Sequence, residues 1–456
     1  NQFQAGKGCK RVLVPLNSRS VRQLLGQAAP FLKLGAASGG AALLAFLTQT
    51  LLARSLGPDD FGRFSAGLSL VTIMAPLACF GIGSFWLSVF GKEGWQAERW
   101  LVASLTYVRL SAGLVLAALA VWALYGPHDS TTALVILVLL IFVLSQIVME
   151  LVGVLFQLEE NYSAFALWQV LPHAIRIALL ALLLLLPVFA ADLHSALAAF
   201  FLAAAAILVV GFALMRRRLS GQLALKGHGE RPSAASSAPL QARLADVVRA
   251  SLPFGLGGFA YLVYTQLNVV LVKYLGSDAD AAYYAIAFMV MNAFLLLPNM
   301  AFEKILVPRI HRWYHQDLPR LKQVLGLSAA LVLVTSALGI AVLWLSADLI
   351  ARFFFGANSA PLASALLILM WSIPLRSLSL CFGSVLFVGR FIKLRLWIVL
   401  ITLFVDVTLC MILIPNAATG DGASAAAVAM VSAESVMCLL FLAGMRHAIR
   451  HRERAP

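Results

Sequence analysis

Charge is what this chain has least of. Charged residues make up 12% of its 456 residues, against about 25% in soluble domains. Hydrophobic residues reach 61% and the mean hydropathy is +0.91, so a water-facing surface of ordinary composition cannot be built. Cysteine is scarce too. Cys9, Cys79, Cys381, Cys410 and Cys438 show no CxxC spacing, which excludes a disulfide scaffold and a cysteine metal site. No loop is long enough for a soluble catalytic domain. The first 30 residues hold Lys7, Lys10, Arg11, Arg19 and Arg22 but lack the apolar core of about 7–15 residues and the small-residue cleavage site of a signal peptide. They read as an amphipathic lead-in on the cytoplasmic side.

What is present is a succession of apolar stretches, each of the roughly 20 residues that cross a hydrocarbon core of about 30 Å. Apolar length and interrupting polar or Gly/Pro clusters place spans near 31–54, 63–88, 99–125, 133–156, 162–187 and 193–215. A second set falls near 251–275, 280–306, 323–347, 361–388, 394–415 and 422–445. The expected fold is an all-α polytopic membrane protein of about twelve transmembrane helices. The domains are a lead-in (1–30), a six-helix bundle (31–215), a basic linker (216–250), a second six-helix bundle (251–445) and a basic tail (446–456).

The formal charge of +14 would suggest a nucleic-acid partner in a soluble protein. Here the charges lie between spans, and no nucleic acid is expected. Of the 34 Lys and Arg, 26 fall before the first span or in the loops on that side, while Arg54, Arg63, Lys273 and Arg352 fall opposite. Cytoplasmic loops keep an excess of positive charge, so both termini and the linker are assigned to the cytoplasm. The stretch from Gly221 to Pro239, rich in Gly, Ser, Ala and Pro, reads as a flexible connection.

The halves echo each other. Leu56-Gly57 with Asp59 and Phe64 recurs as Leu275-Gly276 with Asp278 and Tyr283, and Met215-Arg216 recurs as Met445-Arg446. Pro30-Phe31 and Gly35 recur as Pro253-Phe254 and Gly257. An offset of six helices preserves orientation, so the repeat is parallel, about an axis along the membrane normal, with a central cavity between halves.

Arg54 to Gly62 reads RSLGPDDFG and resembles the R-x-L-G-P-x-x-(F/Y)-G signature of polysaccharide flippases. YLGSDADAAYY (Tyr274 to Tyr284) and Leu306-Val307-Pro308-Arg309 stand at the expected places. The whole layout is similar to Wzx-type O-antigen flippases of the multidrug/oligosaccharidyl-lipid/polysaccharide exporter superfamily, which includes the MATE transporters. That resemblance implies a lipid-linked oligosaccharide as partner, carried on undecaprenyl diphosphate from the cytoplasmic to the periplasmic leaflet by alternating access. It also implies membrane lipids and the polysaccharide polymerase machinery as partners, and no cofactor beyond coupling to a proton or sodium ion. Many relatives carry an acid in the seventh helix near the position of Asn268, where this chain has an amide. The signature itself reads as structural: Gly57-Pro58 turns the chain and Asp59 or Asp60 caps the next helix.

Arg109, Glu150, Arg176, Glu303, Lys304, Arg376, Asp406 and Glu434 lie inside the spans, where a charge costs about 2.5–3.5 kcal/mol at a helix centre. They should face one another or water. Arg109, Arg176 and Arg376 are the candidate diphosphate ligands, because a guanidinium offers phosphate a planar fork of donors. Glu150, Asp406 and Glu434 are the coupling or gating candidates. Arg176 and Asp406 stand 230 residues apart, at related positions of the repeat, and an ion pair between them across the axis would close one side of the cavity. His173 is a further polar group one turn from Arg176. Gln49, Gln266, Asn268, Asn292 and Asn299 lie in helices one, seven and eight, which line the cleft in this superfamily. Two other readings stay open: a drug or organic-cation antiporter, which would want unpaired acids in the cavity, and a membrane glycosyltransferase or polymerase, which would need a sizeable loop.

Overall fold

A computed structural model describes the backbone of residues 18–185, 192–229, 241–301, 310, 313–314, 316–356, 359–387, 391–418 and 420–454. The expectations for Cys9, Glu303, Lys304 and the Leu306–Arg309 motif fall outside the described residues, as do those for the side chains of Pro30, Phe31 and Asn299.

Every regular element among the described residues is helical. The first group is α1 (Ser18–Met74), α2 (Ile82–Glu93), α3 (Leu101–Tyr125), α4 (Ser130–Leu158), α5 (Tyr162–Leu185) and α6 (Leu193–Arg217). The second is α7 (Leu244–Leu275), α8 (Asp278–Ala301), α9 (Leu318–Phe355), α10 (Ala360–Leu369), α11 (Ser372–Gly383), α12 (Ile392–Leu413) and α13 (Gly422–Arg454).

Among the described residues ten stretches are long and apolar enough to cross a membrane, so this is a multi-pass membrane protein. The first, Lys33–Tyr125, is 93 residues long and would reach about 140 Å if straight. It is broken at Gly57, whose φ of 73° and ψ of 174° leave the helical region, and again at the left-handed Gly81 that opens α2. Glycine is needed at both turns because a β-carbon resists positive φ. Pro58 then begins the second leg of α1 with its fixed φ and no amide to satisfy.

Other helix starts are fixed by short polar side chains. Asp129 accepts the amide of Thr132 at 3.1 Å to cap α4, Asp192 caps α6 through Ser195, and Asp317 caps α9 through Arg320. Each satisfies one of the four amides a helix start leaves open. At the other end of the chain α13 continues to Arg454, past the expected end of the last span.

The first leg of α1 runs beside α5, its second leg and Gly62 lie against α8, and α7 touches both α1 and α2. One large core runs through both groups, and a smaller cluster of Val148, Val152, Phe156, Trp168 and Ile207 ties α4, α5 and α6. The segment after α6 returns onto the first group. Leu223 and Leu225 are buried, the indole of Trp95 donates to the Gly229 carbonyl, and Arg218 reaches Glu159 at 3.1 Å.

Candidate functional site

The two groups enclose a cavity of about 710 Å³ lined by α1, α7 and α8. Gln49, Ser65, Ser69, Gln266 and Asn292 give it polar points on a mainly apolar wall, and the Ser69 hydroxyl donates to the Gln266 side-chain oxygen at 3.2 Å. Phe61 and Ala285 lie toward the Gly57 turn, and Ala42, Thr72 and Leu296 toward the far end. Thr72 also lines a second cavity of about 320 Å³ with Phe142, Gln146, Glu150 and Leu262. Of the residues lining these two cavities, Glu150 is charged and none is Arg or Lys.

Behind the first cavity the second group buries a charge cluster. Arg376 on α11 is 4% exposed, Asp406 on α12 and Glu434 on α13 are 0% exposed, and Asn268 on α7 is 1% exposed. The Asn268 amide donates to Asp406 Oδ1 at 3.2 Å and to the Tyr284 hydroxyl at 3.2 Å. Arg376 Nε stands 3.6 Å from Glu434 Oε1, an ion pair longer than a hydrogen bond, while its Nη2 donates to the Tyr261 hydroxyl at 3.1 Å. Asp406 Oδ2 and Arg376 Nη1 are buried without a hydrogen-bond partner among the described residues. The amide at 268 thus meets an acid delivered by α12, and one cation faces two acids. With both acids ionised the cluster carries one uncompensated negative charge, which burial makes costly.

The first group treats its charges differently. Glu150 sits at the start of α2, accepting from the Cys79 thiol at 3.2 Å and from the Gly83 amide. A β-carbon on Gly83 would fall 2.5 Å from the carboxylate, so glycine is what admits it. Arg176 on α5 makes no hydrogen bond or ion pair with the described residues. Its guanidinium lies over the rings of Phe200 at 4.4 Å and Phe142 at 5.4 Å. His173 Nδ1 and Gln169 Oε1, on the same face of α5, are also buried without partners among the described residues.

The structure therefore brings together Arg376, Asp406, Glu434 and Asn268, and places Gln266 and Glu150 on cavity walls. It does not pair Arg176 with Asp406: each is enclosed by its own helix group. Arg109 joins neither cluster. It lies on the exposed face of α3 beside Leu110 and Leu114, 61% and 73% exposed.

A site that the charge count passed over lies at the Gly57 turn. Arg63 Nε is 2.8 Å from Asp278 Oδ2 and 3.4 Å from Asp129 Oδ2, and its Nη1 is 3.0 Å from Asp60. Lys273 also pairs with Asp278. Beside them the Trp122 indole donates to the Tyr274 hydroxyl at 3.1 Å, which is 3.2 Å from His128 Nδ1. Burial acts to raise the pKa of Asp129, but hydrogen bonds from Thr132 and the charges of Arg63 and Lys273 outweigh it and hold the carboxyl below its ordinary value. The signal in the sequence was the echo of Leu-Gly-x-Asp in both halves.

Among the described residues no group of three His, Cys, Asp or Glu side chains is placed to hold a metal ion. A family model described as polysaccharide biosynthesis protein matches residues 31–314. No curated protein matches significantly. Among solved structures the chain is similar to an inward-facing multidrug resistance MATE family transporter of the MOP superfamily, with TM-score 0.68 and 14% identity over 91% of this chain and 96% of that one. An outward-facing transporter of that description gives TM-score 0.60 and 12% identity over 93% and 95%. A MOP superfamily transporter from Pyrococcus furiosus, described by the reverse polarity of its binding pocket, gives 0.62 and 14% over 93% and 95%. At such identities the likeness is one of fold.

Proposed function

Because the chain belongs to the polysaccharide biosynthesis protein family, we propose that it is a transporter that turns an undecaprenyl-diphosphate-linked oligosaccharide from the cytoplasmic to the periplasmic leaflet of a bacterial inner membrane. Both termini and the linker face the cytoplasm, and the two helix groups act as the rocking halves of a parallel repeat. The observation that carries this reading is the 710 Å³ cavity between α1, α7 and α8, polar in a few places and walled by the two groups. That volume suits a headgroup and part of a glycan, not the whole lipid.

Two of the three candidate arginines divide the work. Arg376 is neutralised by Glu434, so it belongs with Asp406 and Asn268 in a coupling site that takes up one monovalent cation, a proton or sodium. Arg176 has no counter-charge among the described residues, and the Phe142 ring it lies over lines the 320 Å³ cavity. It supplies the net positive field for the diphosphate, reaching it when that ring moves aside. Gln266 and Gln49 orient polar parts of the substrate from the wall.

A second reading, export of an organic cation, is favoured by one observation: the charged side chain on the described cavity walls is the acid Glu150. Depleting the protein and following lipid-linked repeat units in each leaflet, together with surface glycan, separates the two. Flipping requires precursor to accumulate on the cytoplasmic side and surface glycan to fall. Intact glycan without accumulation, in cells lacking a redundant flippase, rejects it.

A further inference from the structure

The signature turn does more than mark a family. Several residues between Arg54 and Arg63 meet the other helix group. The Arg54 guanidinium lies 4.5 Å over the Phe353 ring of α9. Asp59 stands close enough to Tyr283 of α8 to act on its hydroxyl. A β-carbon on Gly62 would fall 1.7 Å from the Asp278 carbonyl, so this glycine lets the second leg of α1 lie directly on the backbone that starts α8. Phe61, 2% exposed, fills the space beneath and forms the end of the large cavity. Arg63 then spans Asp60 and Asp129 on its own side and Asp278 on the other.

What Arg63 meets is the second copy of its own turn. Leu56-Gly57-x-Asp59 and Leu275-Gly276-x-Asp278 are the echoing segments, and they face each other because a parallel repeat brings like turns to the same end of the axis. Identical turns would repel through their acids. The copies differ at the needed place: the first adds Arg63, where the second has Ala282, while both carry a cation just before the turn, Arg54 in the first and Lys273 in the second. Two cations thus sit among Asp60, Asp129 and Asp278.

The geometry points to a gate built from the duplicated turn: the Arg54–Arg63 segment clasps its repeat copy at Tyr274–Tyr283, and the contacts of Arg63 with Asp278 and Asp129 must part for the cavity to open on that face. This rests on the transport reading, yet solvent access reports on the gate without any substrate, so the two can fail separately. Asp278 and Lys273 are 20% and 7% exposed and Asp129 is 44% exposed, a graded burial that leaves the pairs breakable. Fully buried pairs would hold one state too firmly for a cycle.

The test places a reporter cysteine, Ala285→Cys, on the cavity wall and follows its reaction with a membrane-impermeant methanethiosulfonate in sealed vesicles of each orientation. The wild-type chain, whose Cys79, Cys381, Cys410 and Cys438 are buried, gives the background. With the clasp intact the reporter is protected from the face that carries the Gly57 turn. Arg63→Ala raises labelling from that face by roughly tenfold, the shift expected of a few partly exposed ion contacts. Asp278→Asn acts likewise, and the double variant leaks no more than the worse single one. Unchanged protection in monodisperse Arg63→Ala protein overturns the gate, as does full additivity. Should Arg63→Ala not fold, Asp129→Asn removes one ion contact while keeping an α4 cap; a rise of about threefold is then expected, and no rise counts against the gate.

Discussion

Removing the positive charge at Arg376 should expose how tightly the buried cluster of the second group is balanced. Arg376→Met keeps most of the volume but leaves Glu434 and Asp406, both 0% exposed, without a cation. Breaking a buried pair from one side costs about 3–5 kcal/mol, and the hydrogen bond to Tyr261 is lost as well. Glu434→Gln should cost less, because Arg376 then keeps its hydrogen bond to Tyr261 and Asp406 loses an acidic neighbour. The double variant Arg376→Met/Glu434→Gln leaves one acid that can be protonated, and should recover at least about 1.5 kcal/mol relative to the sum of the singles. The assay is reversible unfolding of the purified protein in mixed micelles, read as a four-member cycle. Additivity within about 0.5 kcal/mol would mean that the 3.6 Å separation between Arg376 and Glu434 has no energetic content, and the coupling site would lose its foundation.

Asp406→Asn should leave stability nearly unchanged, since the amide oxygen still accepts from Asn268, while abolishing the dependence of transport on a proton or sodium gradient; gradient-dependent flipping by the folded variant would contradict the assignment. Arg176→Met should lower flipping at least tenfold, whereas Arg109→Ala, on the exposed face of α3, should stay within about twofold in the same vesicle assay. Asp129 supplies an acid-sensitive contribution. Its folded-state pKa is depressed, so the stabilisation is present above the ordinary carboxylate range and is lost as pH falls through the folded value. Thermal midpoints taken from pH 6 down to about pH 2 should show an acid limb that Asp129→Asn, which still caps α4, makes shallower; an identical limb would dissociate Asp129 from acid stability.

Much of the fold could be read from the sequence because lipid imposes a simple rule: about 20 apolar residues make one crossing, and backbone groups must bond within the helix. The spans near 133–156, 193–215 and 251–275 fall inside α4, α6 and α7 for that reason. The break at Gly57 was visible in Gly57-Pro58, whose positive φ and ring end a helix from either side. Helix rotation was not visible. Arg109 and Arg176 both read as charges within apolar runs, yet one faces outward and the other lies between Phe142 and Phe200, because tertiary packing turns each helix. The pairing of Asn268 with Asp406 joins residues of α7 and α12 that no local pattern connects. Arg63 reads in the sequence as one of the few charges opposite the cytoplasmic loops, yet it pairs across to Asp278 of the second group, the carboxylate that Lys273 also meets.

The most direct measurement of the central claim is leaflet exchange of an undecaprenyl-diphosphate oligosaccharide in vesicles containing only the purified protein. A precursor confined to one leaflet should become accessible from the other with the wild-type chain, and far more slowly with Arg176→Met. Exchange no faster than in protein-free vesicles, by wild-type protein that is folded and monodisperse, would contradict the account.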